Sequence, residues 1–408
     1  MDRIPEDIIV IIASLLPSRN LALFATLSRP WQRAIERRTF STLYINSTTN
    51  DLYVFERIVW ANCMRRKFPQ SLTFSVQPYI DKRRVKPPQH WQHFSASLTW
   101  DLRRLFLILA ESDDENKMTL KLVGNIRDDE KDDGPEYLRP RLALIDNADH
   151  FPVVKCVSKL VCSIANPRPR IALRAAINIA KLLPSLGCIE ITAREVGFYK
   201  AAVRREDEHG LADALVEANF LSGTECREVS LCLDWNDPYS FEKYDGWVVP
   251  DRRNSPSYDP LGAAVRTWSY NLVSLKVCGV FDGSLFWPSE SERLEMPVLP
   301  WPCLREFYVN LGIVTPAGGW YFINQPDSHK RNVPCEETMQ PLFVAWAKAL
   351  ESMPVLQQAA LRFRVIDDSE QYMYNWLVGI RAPGTGPRRG KLEGYSHKSR
   401  LIFKNTKG

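Results

Sequence analysis

Apolar residues crowd the first sixteen positions in a pattern that neither a strand nor an ordinary surface helix explains. Ile8 to Ile12 are five aliphatic residues in a row, followed by Ala13, Leu15 and Leu16. A surface helix needs only one apolar stripe, whereas this one is apolar all the way round. Pro5 suits a first helical position, and Glu6 and Asp7 place carboxylates at the positive end of the helix dipole. Pro17 stops the helix. Ser18 can cap a second helix carrying Leu21, Phe24 and Ala25, and Pro30 opens a third. In that third helix Trp31, Ala34 and Ile35 form a stripe opposite Arg33, Arg37 and Arg38. Three short helices bury little, so the surplus apolar faces must pack on the rest of the chain or on a partner. At about 25 cal/mol per Å2, two or three wet aliphatic side chains forfeit several kcal/mol.

Beyond residue 45 the pattern changes to apolar-x-x-apolar-x-apolar. It recurs at Pro69/Leu72/Phe74, Val157/Leu160/Cys162, Leu186/Ile189/Ile191, Cys226/Val229/Leu231, Leu272/Leu275/Val277, Leu304/Phe307/Val309 and Leu356/Ala359/Leu361. Leu120 and Leu122 form a further instance with a weaker start. Each predicts a short strand with alternating faces. Amphipathic helices are predicted over Phe94 to Leu109, Ile171 to Leu183, Leu211 to Leu221 and Met339 to Met353. Segments rich in Pro, Asp and Ser read as loops: Asp81 to Pro88, Asp128 to Pro140, Asp234 to Pro260, Phe286 to Pro302 and Tyr321 to Pro334. The segment Ala382 to Gly390 is Pro/Gly-rich, and Leu401 to Phe403 can form a last strand. Successive strands lie roughly 30–50 residues apart, against the roughly 20–29 of a regular leucine-rich repeat. The fold class expected is α+β/α/β: a three-helix module, then an irregular leucine-rich-repeat-like strand–helix solenoid. An unrelated α/β sandwich is the competing expectation.

Length supports more than one body, since a single core rarely exceeds roughly 250–300 residues and the chain has 408. The formal charge of +5 is small and diluted by acidic runs, so bulk charge gives no case for nucleic acid. The nine cysteines have no paired short spacings, which suits reduced thiols better than a disulfide framework. Glu6 and Asp7 precede the first apolar run where a secretory signal needs positive charge, and no stretch approaches a membrane span. A cytoplasmic or nuclear location, with no membrane partner, is the expectation.

Catalytic chemistry leaves little trace. His90-x-x-His93 is the one close histidine pair, and zinc would need two further ligands. Gly384-Thr385-Gly386 lacks the preceding strand and following helix of a phosphate loop. Neither a Gly-x-Ser-x-Gly elbow nor a His-Glu-x-x-His motif occurs. The pairs Asp113/Asp114, Asp128/Asp129 and Asp367/Asp368 read as solvated loops rather than acid/base pairs, and the runs Arg65-Arg66-Lys67 and Lys82-Arg83-Arg84 as solvated faces, with nuclear-import or phosphate contacts the alternative. No cofactor and no metal are expected. The segment Trp235 to Tyr258 is different: Trp235, Tyr239, Phe241, Tyr244 and Trp247 are the residue types of binding hot spots, or they tuck back onto the array.

Ile4-Pro5-Glu6 followed by Ile8, Ile9, Ile12, Leu15 and Leu16, then Leu21, Phe24, Ala25, Ser28 and Trp31, resembles the F-box. Ile4 stands where leucine is usual and Leu27-Ser28 where Val-Cys is, and both swaps keep the apolar pattern. Trp31-Gln32, Glu36, Phe40, Leu43 and Ile45 extend the likeness to the form found in large fungal families of F-box proteins. The resemblance implies an adaptor-binding module at residues 1–45 and a substrate-binding region at 46–408. It further implies docking on a Skp-type adaptor, and through it a cullin, by Ile4, Pro5, Glu6, Ile8, Ile9, Ile12, Leu15, Leu16, Leu21 and Trp31. The chain would then be a non-enzymatic substrate-recognition subunit of a ubiquitin ligase. The alternatives are a scaffold outside any ligase and, third, an α/β enzyme. On the array, the residues alternating with buried strand positions should share one surface: Ser75, Lys121, Ser163, Glu190, Ser230, Lys276, Tyr308, Arg362 and Arg364. Of these Lys121, Lys276, Tyr308, Arg362 and Arg364 are the candidates for holding an acidic or phosphorylated protein substrate. Arg362 and Arg364 would otherwise pair with Asp367 and Asp368 just downstream.

Overall fold

The computed structural model describes residues 4–47, 49–76, 87–112, 117–124, 141–142, 144, 151–163, 170–195, 201–218, 225–235, 251, 253, 259–295, 301–324, 331–366, 373–381 and 400–402. The chain is mixed α/β and divides into two compact units. One comprises Met1–Asp132, Pro140–Ile171 and Ile179–Leu186, and the other Asp133–Arg139, Ala172–Asn178 and Gly187–Gly408.

The first unit opens with three helices: α1 (Glu6–Leu15), α2 (Leu21–Ala25) and α3 (Arg29–Phe40). Strand β1 (Thr42–Asn46) follows directly, so the boundary expected at 45/46 falls inside a strand. The one residue between the helices and the sheet is Ser41, which caps the end of α3. After α4 (Asp51–Phe55) and one π-helical turn (Glu56–Trp60) come β2 (Ser71–Val76), α5 (Pro87–Ala110), β3 (Met118–Gly124), β4 (Arg141–Leu142), β5 (Val157–Ser163) and β6 (Arg170–Ile171). β1, β2, β3 and β5 form a parallel ladder in chain order, and β4 pairs with β6. Leu72, Phe74, Leu120, Leu122, Leu160 and Cys162 are all buried, as the alternation requires. Helix α5 buries Leu98, Leu102, Leu105 and Leu109 at helical spacing.

Helix α6 (Leu173–Ala180) leads to β7 (Cys188–Glu195), α7 (Ala201–Ala218) and β8 (Glu228–Trp235). Then follow α8 (Pro260–Ser269), β9 (Ser274–Gly279), α9 (Glu290–Glu295), β10 (Glu306–Leu311), β11 (Phe322–Asn324), β12 (Arg331–Pro334), α10 (Glu336–Glu351), β13 (Gln358–Ile366), β14 (Met373–Arg381) and β15 (Arg400–Ile402). In the second unit β7, β8, β9, β10 and β13 are parallel neighbours in chain order. Strand β14 turns back antiparallel to β13, with β15 parallel to it. One face carries buried Ile189, Ile191, Val229, Leu231, Leu275, Val277, Phe307, Val309, Leu361 and Phe363. Helix α10 is locked onto that face by aromatics: Trp346 lies 5.2 Å from Phe307 and 5.1 Å from Phe286 between ring centroids.

Four expectations need correction. Tyr321 to Pro334 is not all loop: β11 and β12 pair antiparallel within it. Phe286 to Pro302 contains α9. Asp234 and Trp235, expected to open a loop, are the last two residues of β8, and Pro260, expected to end it, is the first residue of α8, capped by Asp259. Ser75 is buried rather than on a shared outer surface.

Candidate functional site

Helix α1 separates its apolar residues into two sets. Ile9 and Ala13 turn inward onto Trp31, Ala34 and Ile35 of α3, with Val10, Ile12, Leu16, Leu21, Phe24 and Ala25 half-buried around them. Phe24 lies 5.4 Å from Trp31 between ring centroids. Arg38 reaches back from α3 to donate to the carbonyls of Ala13 and Leu16, filling acceptors that the end of α1 leaves open. The other set is wet. Ile8, Ile11 and Leu15, spaced i, i+3 and i+7, are exposed by 45, 55 and 79%, and Ile4 is exposed just before the first turn. Leu23 and Leu27 are exposed as well. These residues make an exposed apolar patch on a helical module that has its own small core.

The residues expected to meet an adaptor therefore divide. Ile4, Pro5, Glu6, Ile8 and Leu15 are exposed, and Glu6 lies 3.2 Å from Arg33 in an exposed ion pair. Ile12, Leu16 and Leu21 are half-buried against the core, while Ile9 and Trp31 are buried within it. Ile9 and Trp31 build the module and do not line its outside. Ile11, Leu23 and Leu27 belong to the exposed set although sequence reasoning passed over them. The phase of the helix, set by Ile9 and Ala13 facing α3, is the signal that finds Ile11.

The second candidate is the sheet face opposite the buried residues of the second unit. Parallel pairing brings Ser230, Lys276, Tyr308 and Ala360 into one rung, and Cys232, Cys278, Asn310 and Arg362 into the next. The side chains of Ser230, Cys232, Lys276, Cys278, Tyr308, Asn310 and Arg362 are half-buried, leaving the rungs reachable from solvent. Tyr308 donates to Gln358 at 2.6 Å. Three of the expected substrate residues (Lys276, Tyr308 and Arg362) thus share this face. Lys121 is exposed on β3, in the first unit. Arg364 lies in β13, but its side chain is outside the described residues, as are Asp367 and Asp368. Of the segment from Tyr239 to Tyr258 only Asp251 and Arg253 are described, and the side chains of His90 and His93 are not.

One buried titratable group stands out. Asp259 is 6% exposed; its Oδ1 accepts from the Leu261 backbone N–H at 3.2 Å, and the Gly262 backbone N–H also acts on the carboxylate. Burial pushes its carboxyl well above the usual range, and the charges of Asp282 and Glu208 push in the same direction. Asp259 is buried and caps the start of α8. Among the described residues no group of three or more His, Cys, Asp or Glu is placed to hold a metal ion. No described helix is long and apolar enough to cross a membrane. No known protein family matches the chain, and neither does any curated protein sequence.

Proposed function

We propose that the chain is a substrate-recognition subunit of a cullin-RING ubiquitin ligase, with an F-box-like module ahead of a leucine-rich-repeat-like strand–helix array. The observation that carries this reading is the exposed stripe of Ile8, Ile11 and Leu15 on a three-helix module that already has its own core. Docking would remove that stripe from water, contributing about 1–2 kcal/mol for each side chain. The parallel ladders, whose strands follow one another in chain order, also suit an array of strand–helix units. Its open face offers Lys276, Tyr308 and Arg362 to a partner of acidic or phosphorylated character. Such a subunit performs no bond chemistry itself; it raises the local concentration of a target lysine near the conjugating enzyme.

The experiment is a capture assay with a purified Skp-type adaptor, comparing the full chain with one starting at Thr42, followed by a ubiquitin-conjugation assay on the assembled complex. Capture of the full chain alone, with conjugates formed on co-purified protein, is the expected result. Capture without conjugates would make the chain a scaffold outside any ligase, and no capture would overturn the reading.

A further inference from the structure

The nine cysteines are not equivalent. Burial pushes the Cys162 and Cys226 thiols up to about 12, which makes both unreactive at neutral pH. Cys63 and Cys303 are exposed at separate places in the chain. Cys232 and Cys278 differ from all of these. They are register partners on adjacent parallel strands, β8 and β9, and neither is in a disulfide. Each alternates with buried residues, Leu231 and Leu233 on one strand and Val277 on the other, so both sulfurs project from the open face.

The spacing is set by the sheet. Adjacent strands lie about 4.7–4.9 Å apart, within the range of about 4.4–6.8 Å between Cα atoms that a disulfide spans. The Cβ atoms of an in-register pair are separated by nearly the same distance, slightly more than the roughly 3.5–4.5 Å of a relaxed disulfide. A bond there forms only as the two strands draw together, and a bond held under such strain is easily reduced. From the far side, Asn310 on β10 donates its Nδ2 to the Cys278 sulfur at 3.6 Å, which fixes where that sulfur sits.

We propose that Cys232 and Cys278 form a reversible dithiol switch, oxidised to a disulfide by a peroxide and returned by a small thiol reductant. The peroxide O–O bond breaks as one thiol becomes a sulfenic acid, releasing one molecule of water from hydrogen peroxide. The second sulfur then attacks the first; the S–O bond breaks, the S–S bond forms, and the hydroxyl leaves with the second thiol proton as another water. Two electrons pass from the sulfur pair to the peroxide. Two reducing thiols reverse the step by exchange, leaving as their own disulfide. The link would staple β8 to β9 one rung from Ser230, Lys276 and Tyr308, on the face offered to a partner. The chemistry does not depend on the adaptor reading.

The test treats the full-length reduced protein with a few equivalents of hydrogen peroxide, quenches with an alkylating agent, and reads intact mass and peptide maps. The expected result is a mass loss of about 2 Da with loss of two alkylatable thiols, a link mapping to Cys232 and Cys278, and full recovery with dithiothreitol. Cys232→Ser and Cys278→Ser should each abolish that loss, with circular dichroism confirming that both variants remain folded. The wild-type peptide map decides the matter alone if a variant does not fold. Both thiols remaining alkylatable, or a link that instead engages Cys63, Cys188, Cys226 or Cys303, would overturn the proposal.

Discussion

Replacing Asp259 by Asn should stabilise the second unit at neutral pH. The carboxyl is buried, and burial with the charges of Asp282 and Glu208 opposes its ionisation more than the Leu261 and Gly262 backbone N–H groups favour it. Of the neighbouring groups that sense it, Arg253 is cationic but is already paired with Asp251 at 2.8 Å, and Tyr321 donates its hydroxyl to the Phe281 carbonyl. An unfolded Asp titrates near 3.9, so a folded carboxyl held well above that value loses stability as pH climbs past about 4. Asn retains the cap to Leu261 and carries no charge, and its amide inherits a site with few partners. We expect a net gain of about 1–2 kcal/mol. The sign with pH follows from the raised value. The stability of the protonated form is fully present below the unfolded value and is lost as pH rises toward the folded one. The advantage of Asp259→Asn should therefore be small near pH 4 and grow toward neutrality. Urea denaturation of both proteins at pH 4, 5, 6 and 7 measures it. A variant whose deficit appears above pH 4 and grows toward neutrality would show that the ionised carboxylate has a stabilising partner and would refute the reasoning.

Three further outcomes are expected. Trp31→Ala should destabilise the helical module by about 3–5 kcal/mol, because it empties the centre of the cluster around Ile9 and Ala13. Limited proteolysis within residues 4–41 checks it, and unchanged resistance would contradict the assignment. A chain starting at Thr42 should keep its fold: it loses the Glu36 partner of Arg65, a half-buried pair at 2.6 Å worth about 1 kcal/mol, while β1 keeps its pairing with β2. Wholesale unfolding by circular dichroism would place the helices in the main core. Lys276→Ala with Arg362→Ala should reduce capture of an acidic or phosphorylated partner with adaptor binding unchanged, read by quantitative comparison of co-purifying proteins.

The strands were the most legible part of the sequence, because a buried face forces alternation and Leu72/Phe74, Leu275/Val277 and Phe307/Val309 all obey it. Short helices between polar segments were harder. The cap and proline that start α8 stand at the end of a stretch whose aromatics and prolines otherwise read as loop. The hairpin of β11 and β12 is only three and four residues per strand, too short for periodicity to register. In the first helix the difficulty was phase. A helix that is apolar all round gives no local clue to which residues face inward, and only the position of Trp31, Ala34 and Ile35 assigns Ile9 to the core and Ile11 to solvent. Ser75 shows the same limit in a strand, since alternation predicts which face a residue takes and not what covers that face.

The most direct test of the adaptor reading is calorimetric titration of a purified Skp-type adaptor into the full chain and into an Ile8→Asp, Ile11→Asp variant. Both residues are about half exposed, so the changes should leave the helical core intact while placing two carboxylates in any docked interface. Saturable one-to-one binding by the wild type, weakened at least about 100-fold in a variant with an unchanged circular dichroism spectrum, is the predicted result. No heat of binding from the wild type, or equal affinity in the two proteins, would contradict the account.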